Sequence, residues 1–224
     1  MPQSGPRLVI LGKQGAGKGT QCMRLSRHYV VPHISSGEMF RAELKSGSEA
    51  GQRLNKFMKA GELVPDDVVI DVMAHRLTAD GTKDKGFILD GFPRTTTQAE
   101  ALFDLLAPEG LDLAVDLQVP TEVVLRRLAA RRVCQDCGAN YSVDSPPAVD
   151  WICDRCGGEV VQREDDREEV IARRLRLYEQ ETEPLVAWYL RHDKLVAVDG
   201  LGPPDVVTGR LVQAIDGRLG GAAA

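Results

Sequence analysis

Gly12-Lys13-Gln14-Gly15-Ala16-Gly17-Lys18-Gly19-Thr20 stands between an apolar run, Arg7 to Leu11, and a stretch of helical periodicity from Lys18 to Tyr29. A strand, a glycine-rich turn and a helix in that order fit the template G-x-x-x-x-G-K. Glycines let successive backbone N–H groups curl around phosphate oxygens, and the positive end of the helix dipole adds to them. Lys18 supplies a mobile positive charge for the terminal phosphates. The blander alternative is a turn that merely links strand to helix. The flanking strand and helix favour phosphate binding, because that mechanism requires both.

The alternation continues outward along the chain. Pro32 to Ile34 reads as a short strand, Gly37 to Ser46 and Ser48 to Ala60 as two helices, and another helix begins after Pro65. Gly86 to Asp90 is a clear strand followed by a helix from Thr96 to Leu106. Leu113 to Val119 is strand-like and leads through Pro120-Thr121-Glu122 into a helix ending near Arg132. Asp165 to His192 fits one long helix, with Asp165 and Glu168 placed as a capping box. Lys194 to Val198 and Pro204 to Leu219 give a last strand and helix, and the tail from Gly220 to Ala224 is expected to fray. Strands alternating with helices place a parallel sheet between helical layers. The expectation is an α/β P-loop three-layer fold with a five-stranded parallel sheet. Residues 35–64 and 131–164 interrupt the rhythm, and each is expected to form a small subdomain inserted into a single domain spanning 1–224.

Composition narrows the partners. The 224 residues are 43% hydrophobic and 27% charged, ordinary for a soluble globular chain. The net charge of −5 argues against broad attraction to nucleic acid, whose backbone rewards a basic excess, so phosphate recognition must be local. Apolar runs such as Leu8-Val9-Ile10-Leu11 are too short to span a bilayer, and the N-terminus has no apolar signal core. No nucleic-acid or membrane partner is expected, and the expected location is cytoplasmic. The four histidines, His28, His33, His75 and His192, are scattered and match no catalytic spacing.

Most P-loops place a Ser or Thr directly after the lysine to hold magnesium; here Gly19 intervenes and the hydroxyl comes at Thr20. The form Gly-x-x-Gly-x-Gly-Lys-Gly-Thr resembles the nucleoside monophosphate kinases. Further stretches are similar to the adenylate kinase family in order and spacing. They are Ile34-Ser35-Ser36-Gly37-Glu38-Met39-Phe40-Arg41, Asp90-Gly91-Phe92-Pro93-Arg94-Thr95, Arg131-Arg132, Arg163-Glu164-Asp165-Asp166, Arg173-Arg174 and Val198-Asp199-Gly200. The resemblance runs from Leu8 to about Leu219. It implies a monomeric, Mg²⁺-dependent phosphotransferase that passes a phosphoryl group reversibly from ATP to AMP, giving two ADP.

Phosphoryl transfer asks a protein mainly for positioning and for compensation of developing negative charge. That calls for several converging cations, preferably arginines, whose planar forks match phosphate oxygens in pairs. Arg41, Arg94, Arg131, Arg163 and Arg174 are the candidates. One of them alone would read as a solvated surface charge, but five at motif positions do not. The resemblance implies Arg41 and Arg94 on the AMP phosphate, and Lys18, Arg131, Arg163 and Arg174 around the transferring group, with Arg163 and Arg174 also reaching AMP. It implies ATP on Gly15, Ala16, Gly17, Lys18, Gly19 and Thr20, with Arg127 packed on the base, Tyr141 near it and Gly202 as a further contact. It extends the AMP site to Ser36, Glu62, Leu63, Val64, Gly91, Phe92, Pro93 and Gln98, with Gln98 on the adenine and a cis Phe92–Pro93 bond. Asp90 ends an apolar strand, where a carboxylate suits magnesium or its waters; the alternative is an aspartate capping a turn.

Cys134-Gln135-Asp136-Cys137 and Cys153-Asp154-Arg155-Cys156 are two C-x-x-C pairs separated by fifteen residues, within zinc-ribbon spacing. Gly138 and Gly157 after each pair suit tight knuckle turns. Four thiolates make a closed structural site for Zn²⁺, with iron or cobalt as alternatives. Two disulfides are disfavoured in the cytosol, and free core thiols are disfavoured by the neighbouring Asp, Arg and Gly. The resemblance makes this segment a lid over ATP. Cys22 reads as a small buried hydrophobe. Two alternatives stay open: a UMP/CMP-type kinase, which the long lid disfavours, and an ATP-binding module whose ribbon contacts macromolecules, which the acidic balance disfavours.

Overall fold

Leu8, Val9, Ile10 and Leu11 are all at most 3% exposed, because the strand they form is covered on both faces. In the computed structural model, which describes residues 5–46 and 48–220, β1 (Arg7–Leu11) turns into α1 (Lys18–Tyr29). There follow β2 (His33–Ser35), α2 (Ser36–Ser46), α3 (Glu49–Ala60), α4 (Asp66–Thr78), α5 (Thr82–Lys85), β3 (Phe87–Asp90), α6 (Thr96–Leu105), β4 (Leu113–Gln118) and α7 (Thr121–Ala130). Next come β5 (Arg131–Cys134), β6 (Asn140–Ser142) and β7 (Val160–Val161), then α8 (Glu168–Leu177), α9 (Pro184–Arg191), β8 (Leu195–Asp199) and α10 (Pro204–Gly220). The expected fraying of 221–224 lies outside the described residues, whereas Gly220 closes α10.

The main sheet has five strands in the order β2-β3-β1-β4-β8, every pair parallel, as the alternation of strands and helices leads one to expect. Side chains alternate between its faces. Val9, Leu11, Phe87 and Leu89 join Met73, Leu77, Ala99 and Tyr189 on one side. Leu8, Ile10, Ile88 and Val115 join Cys22, Leu25, Leu128 and Leu211 on the other. Cys22 is fully buried, as its small apolar character suggests. Registers Ile10↔Asp90 and Ser35↔Asp90 bring the carboxyl ends of β1, β2 and β3 to one edge of the sheet. Ligands of open parallel sheets bind in the crevice at that edge.

Two sequence expectations are corrected. The single helix from Asp165 to His192 is broken into a 3-10 turn at Glu164–Asp166, then α8, a π turn at Tyr178–Thr182, and α9. Asp165 does not cap it; Arg167 precedes α8 in extended conformation, and the Asp165 carboxylate accepts instead from Arg163 and Arg174. The π turn carries the bond from Glu183 N–H to Tyr178 O just before Pro184, whose missing N–H could not continue the regular ladder. The helix expected to reach Arg132 ends at Ala130, because Arg131 takes extended backbone and opens a second sheet, β6-β5-β7.

Residues 35–64 carry α2 and α3, and residues 131–164 carry that small antiparallel sheet. Its own core is limited to Cys134, Ala139, Cys153 and Val160, with Tyr141 and Trp151 packed against them. The two insertions touch: Lys45 Nζ donates to Gln135 O, and Lys59 pairs with Glu164 at 3.1 Å. Among the described residues no helix is long and apolar enough to cross a membrane.

Candidate active site

The glycine-rich turn wraps the start of α1 because its glycines sit where a side chain would not fit. Gly15 has φ +82°, and a Cβ there would lie 2.8 Å from Leu128 Cγ and 3.1 Å from Val124 O on α7. Gly17, also left-handed, leaves the first α1 N–H groups without a side-chain cap, the arrangement that accepts phosphate. Lys18 folds back across the loop and donates to Gly12 O at 2.6 Å and Lys13 O at 3.0 Å. Burial pulls its ammonium down to about 8, against the attraction of Asp90 and with help from Arg94. Arg127 Nη1 donates to Ala16 O at 3.0 Å, which sets its guanidinium beside the loop.

Asp90 ends β3 at the foot of this turn. Burial raises its pKa, but His33 and Lys18 outweigh that and hold it below the ordinary carboxylate value. An anionic oxygen beside Lys18 and the Thr20 segment has the hard-donor chemistry that Mg²⁺ prefers. Cys22, His33 and Asp90 also bring one potential ligand atom each within 4.8 Å of one another, and burial pushes the Cys22 thiol well up.

After β3 the chain turns at Gly91, whose φ is +78° and where a Cβ would meet Ser36 Oγ at 2.9 Å. The Gly91 carbonyl accepts from Ser36 Oγ at 2.7 Å and from Arg94 Nε at 2.8 Å, so the turn aims Arg94. The Phe92–Pro93 bond is cis. A recess opens here, lined by Ser36, Arg41, Glu62, Leu63, Val64, Gly91, Arg94, Gln98, Asp165 and Arg174. That mixture of apolar lining and convergent arginines suits a small ligand with one anionic end.

Arg131 and Arg163 come from the 131–164 insertion and Arg174 from α8, and two adjacent carboxylates gather them. Asp166, 1% exposed, accepts from Arg131 through both oxygens, Nε at 2.7 Å. Asp165 accepts from Arg163 Nε at 2.8 Å and from Arg174 Nη1 at 2.9 Å. Burial pushes Asp165 up, yet Arg174 and Arg163 outweigh it and hold it at about 2. Burial lowers Arg174 to about 10, and burial with repulsion from Arg163 lowers Arg41 to about 10. Arg94, buried, is lowered as well. All stay protonated at neutral pH, so the recess holds crowded positive charge that an anion relieves.

Three other expected contact residues sit in surroundings of their own. Tyr141 commits its hydroxyl to the cysteine cluster, donating to Cys153 Sγ at 3.4 Å and accepting from Asp154 N–H at 2.9 Å. Gly202 lies exposed after β8, with nothing within 4 Å of a Cβ placed there. Glu62 lines the recess, and its half-exposed carboxylate pairs with Arg173. Sequence reasoning missed the holding role of Asp165 and Asp166, although their place beside Arg163 was a signal. It also missed Asp66, whose carboxylate accepts from Thr95 and from the Gln98 amide, and no motif marked it.

Cys134, Cys137, Cys153 and Cys156 bring their sulfurs within 4.8 Å of one another. Cys134 to Cys156 and Cys137 to Cys153 both measure 3.5 Å. A tetrahedral ZnS₄ group with bonds of about 2.3 Å has S···S edges of about 3.8 Å, so the cage fits. Gly138 (φ +71°) and Gly157 (φ +75°) close the knuckles, their N–H groups donating to Cys134 O and Cys153 O. The Tyr141 hydroxyl draws the Cys153 thiol down to about 6.

The family profile described as adenylate kinase matches residues 10–194. The chain is 44% identical to an adenylate kinase of Acetivibrio thermocellus over 214 residues, covering 94% of this chain and 98% of that one. It is 47% identical to an adenylate kinase of Salinispora tropica over 212 residues, covering 93% and 97%. It is 45% identical to one of Finegoldia magna over 209 residues, covering 92% and 97%.

Proposed function

The chain belongs to the adenylate kinase family, and from that premise we propose that the recess between α2, α3 and Arg94 is the AMP site and the Gly15–Thr20 turn the ATP site. The enzyme moves the terminal phosphoryl group of ATP to AMP, forming two ADP reversibly, with Mg²⁺ accompanying ATP. What supports the assignment of sites is one observation: Arg41, Arg94 and Arg174 line the recess, and Lys18 lies close enough to Arg94 and Arg174 to feel their charge.

Arg41 and Arg94 orient the AMP phosphate with paired N–H groups, while Ser36 and the carbonyl of Gly91 fix the turn beneath it. Lys18 leaves the carbonyls of Gly12 and Lys13 for the β- and γ-phosphates. Arg131, Arg163 and Arg174 face the group in transit, already held by Asp165 and Asp166, so little reorganisation is needed as charge develops. Asp90 would hold Mg²⁺ through water, and the ion would supply positive charge against the phosphates. Contact of the two insertions through Lys45 and Lys59 shuts water out of the space between the substrates.

Cys134, Cys137, Cys153 and Cys156 would hold a structural Zn²⁺, which supplies folding free energy to a lid whose core is small. Four reduced thiols suit a reducing compartment and support a cytoplasmic setting.

The site assignment is tested by steady-state kinetics. Arg41→Ala is expected to raise the KM for AMP far more than that for ATP, and Lys18→Ala to lower kcat by about 10³-fold, the scale seen when phosphate-stabilising cations are removed. A Lys18→Ala enzyme with near-normal kcat overturns the assignment.

A further inference from the structure

Gln98 is 1% exposed, yet it lines the recess. Its side-chain amide is held from two directions. Oε1 accepts from the backbone N–H of Arg94 at 2.8 Å, and Nε2 donates to Asp66 Oδ1 at 2.6 Å. An N–H can only donate and a carboxylate can only accept, so these two partners permit one orientation of the amide. Asp66, the first residue of α4, is itself fixed: its Oδ2 accepts from Thr95 Oγ1 at 2.9 Å. Thr95 in turn caps α6, accepting from Gln98 N–H at 3.2 Å.

We propose that Asp66 is a positioning residue that sets base specificity by locking the Gln98 amide. The proposal rests on the reading of the recess as the AMP site. Each amide terminus keeps one hydrogen-bonding position free: a lone pair on Oε1 and a hydrogen on Nε2. That acceptor–donor pair complements adenine, whose edge offers the N6 amino donor beside a ring-nitrogen acceptor. A 6-oxopurine reverses the pattern, offering the O6 acceptor beside the N1–H donor. Only a flipped amide would match it. The flip turns Oε1 toward the Asp66 carboxylate and Nε2 toward the Arg94 N–H, placing like against like at both ends. A purine with oxygen at position 6 therefore meets a site whose polar groups stay unpaired, which discriminates strongly. Asp66 never touches the base; it acts through Gln98.

The test is kinetics with AMP and with IMP, which is close to AMP in shape but reversed at this edge, on wild type, Asp66→Ala, Asp66→Asn, Gln98→Ala and the Asp66→Ala/Gln98→Ala double variant. Folding is checked by melting curves, and Asp66→Ser replaces Asp66→Ala if the latter does not fold. Losing a hydrogen bond to a charged partner predicts that Asp66→Ala raises the KM for AMP about tenfold. The AMP-over-IMP ratio of kcat/KM should fall by about tenfold as well. The KM for ATP should be unchanged and kcat should stay within about twofold. Asp66→Asn keeps an acceptor for Nε2 and should restore both values. Adding Asp66→Ala to Gln98→Ala should change neither, because non-additivity marks residues that act through one another. If Asp66→Ala leaves KM and the ratio unchanged while Gln98→Ala alters them, or if its effect is additive with Gln98→Ala, the locking role is overturned. If Gln98→Ala itself leaves both unchanged, the adenine site has been placed wrongly and the proposal falls with it.

Discussion

Asp165→Asn removes the carboxylate that gathers Arg163 and Arg174, and its cost can be worked from the site. The Asp165 side chain is 14% exposed, and its pKa lies at about 2 against an ordinary 3.8. At about 1.4 kcal/mol per tenfold in proton affinity, that depression corresponds to about 2 kcal/mol of folding stability at neutral pH. Solvent screening is small at this exposure. For a chain of this size, each kcal/mol lost lowers Tm by about 2–4 °C, so Asp165→Asn should melt about 4–8 °C below wild type at pH 7. Because the folded pKa is depressed, the contribution is complete above pH 4 and disappears as pH falls toward 2. The gap between wild type and variant should narrow over that window. Saturating ADP should also narrow it, since phosphate oxygens then face the arginines. Thermal melts at pH 7, 4 and 3, with and without ADP, check all three effects. Equal melting temperatures at pH 7, or a gap that widens on acidification, would refute the electrostatic account.

Val30 ends α1 at φ +56°, 87% exposed, a left-handed position that costs a β-branched residue about 1–2 kcal/mol and that glycine tolerates. Val30→Gly should therefore raise Tm by about 2–4 °C after allowing for glycine's greater unfolded entropy, read from a melting curve. Cys134→Ser should take bound zinc from about one per chain to near zero by elemental analysis and lower Tm. Unchanged zinc with an unchanged Tm would remove the metal from the lid. Lys18 loses its proton above about 8 in the free enzyme, so kcat/KM for ATP should decline above that pH, while kcat, measured with phosphates bound, should hold to higher pH.

The sheet was legible because its strands carry unbroken apolar runs that only a doubly covered parallel sheet buries, Leu8 to Leu11 and Phe87 to Leu89 above all. The turn after β1 was legible because glycine at positions 15 and 17 has no substitute there. What was misread lies where tertiary partners override local pattern. Asp165 and Glu168 have capping-box spacing, but Arg163 and Arg174 claim the carboxylate. Arg131 continues a helical pattern, yet its side chain reaches Asp166 and its backbone turns into β5. Tyr141 sits at a position that suggested a base contact, and the buried thiol of Cys153 takes its hydroxyl instead. Asp66 was invisible because its role depends on Gln98, 32 positions away.

Phosphoryl transfer from ATP–Mg²⁺ to AMP, GMP, CMP and UMP in turn, with ADP formation followed, tests the central claim most directly. The account predicts strong preference for AMP, since a locked Gln98 amide and the Arg41–Arg94 pair fit that acceptor. Equal or better turnover of a pyrimidine monophosphate would contradict it, leaving the fold and the phosphate loop but not the acceptor site described here.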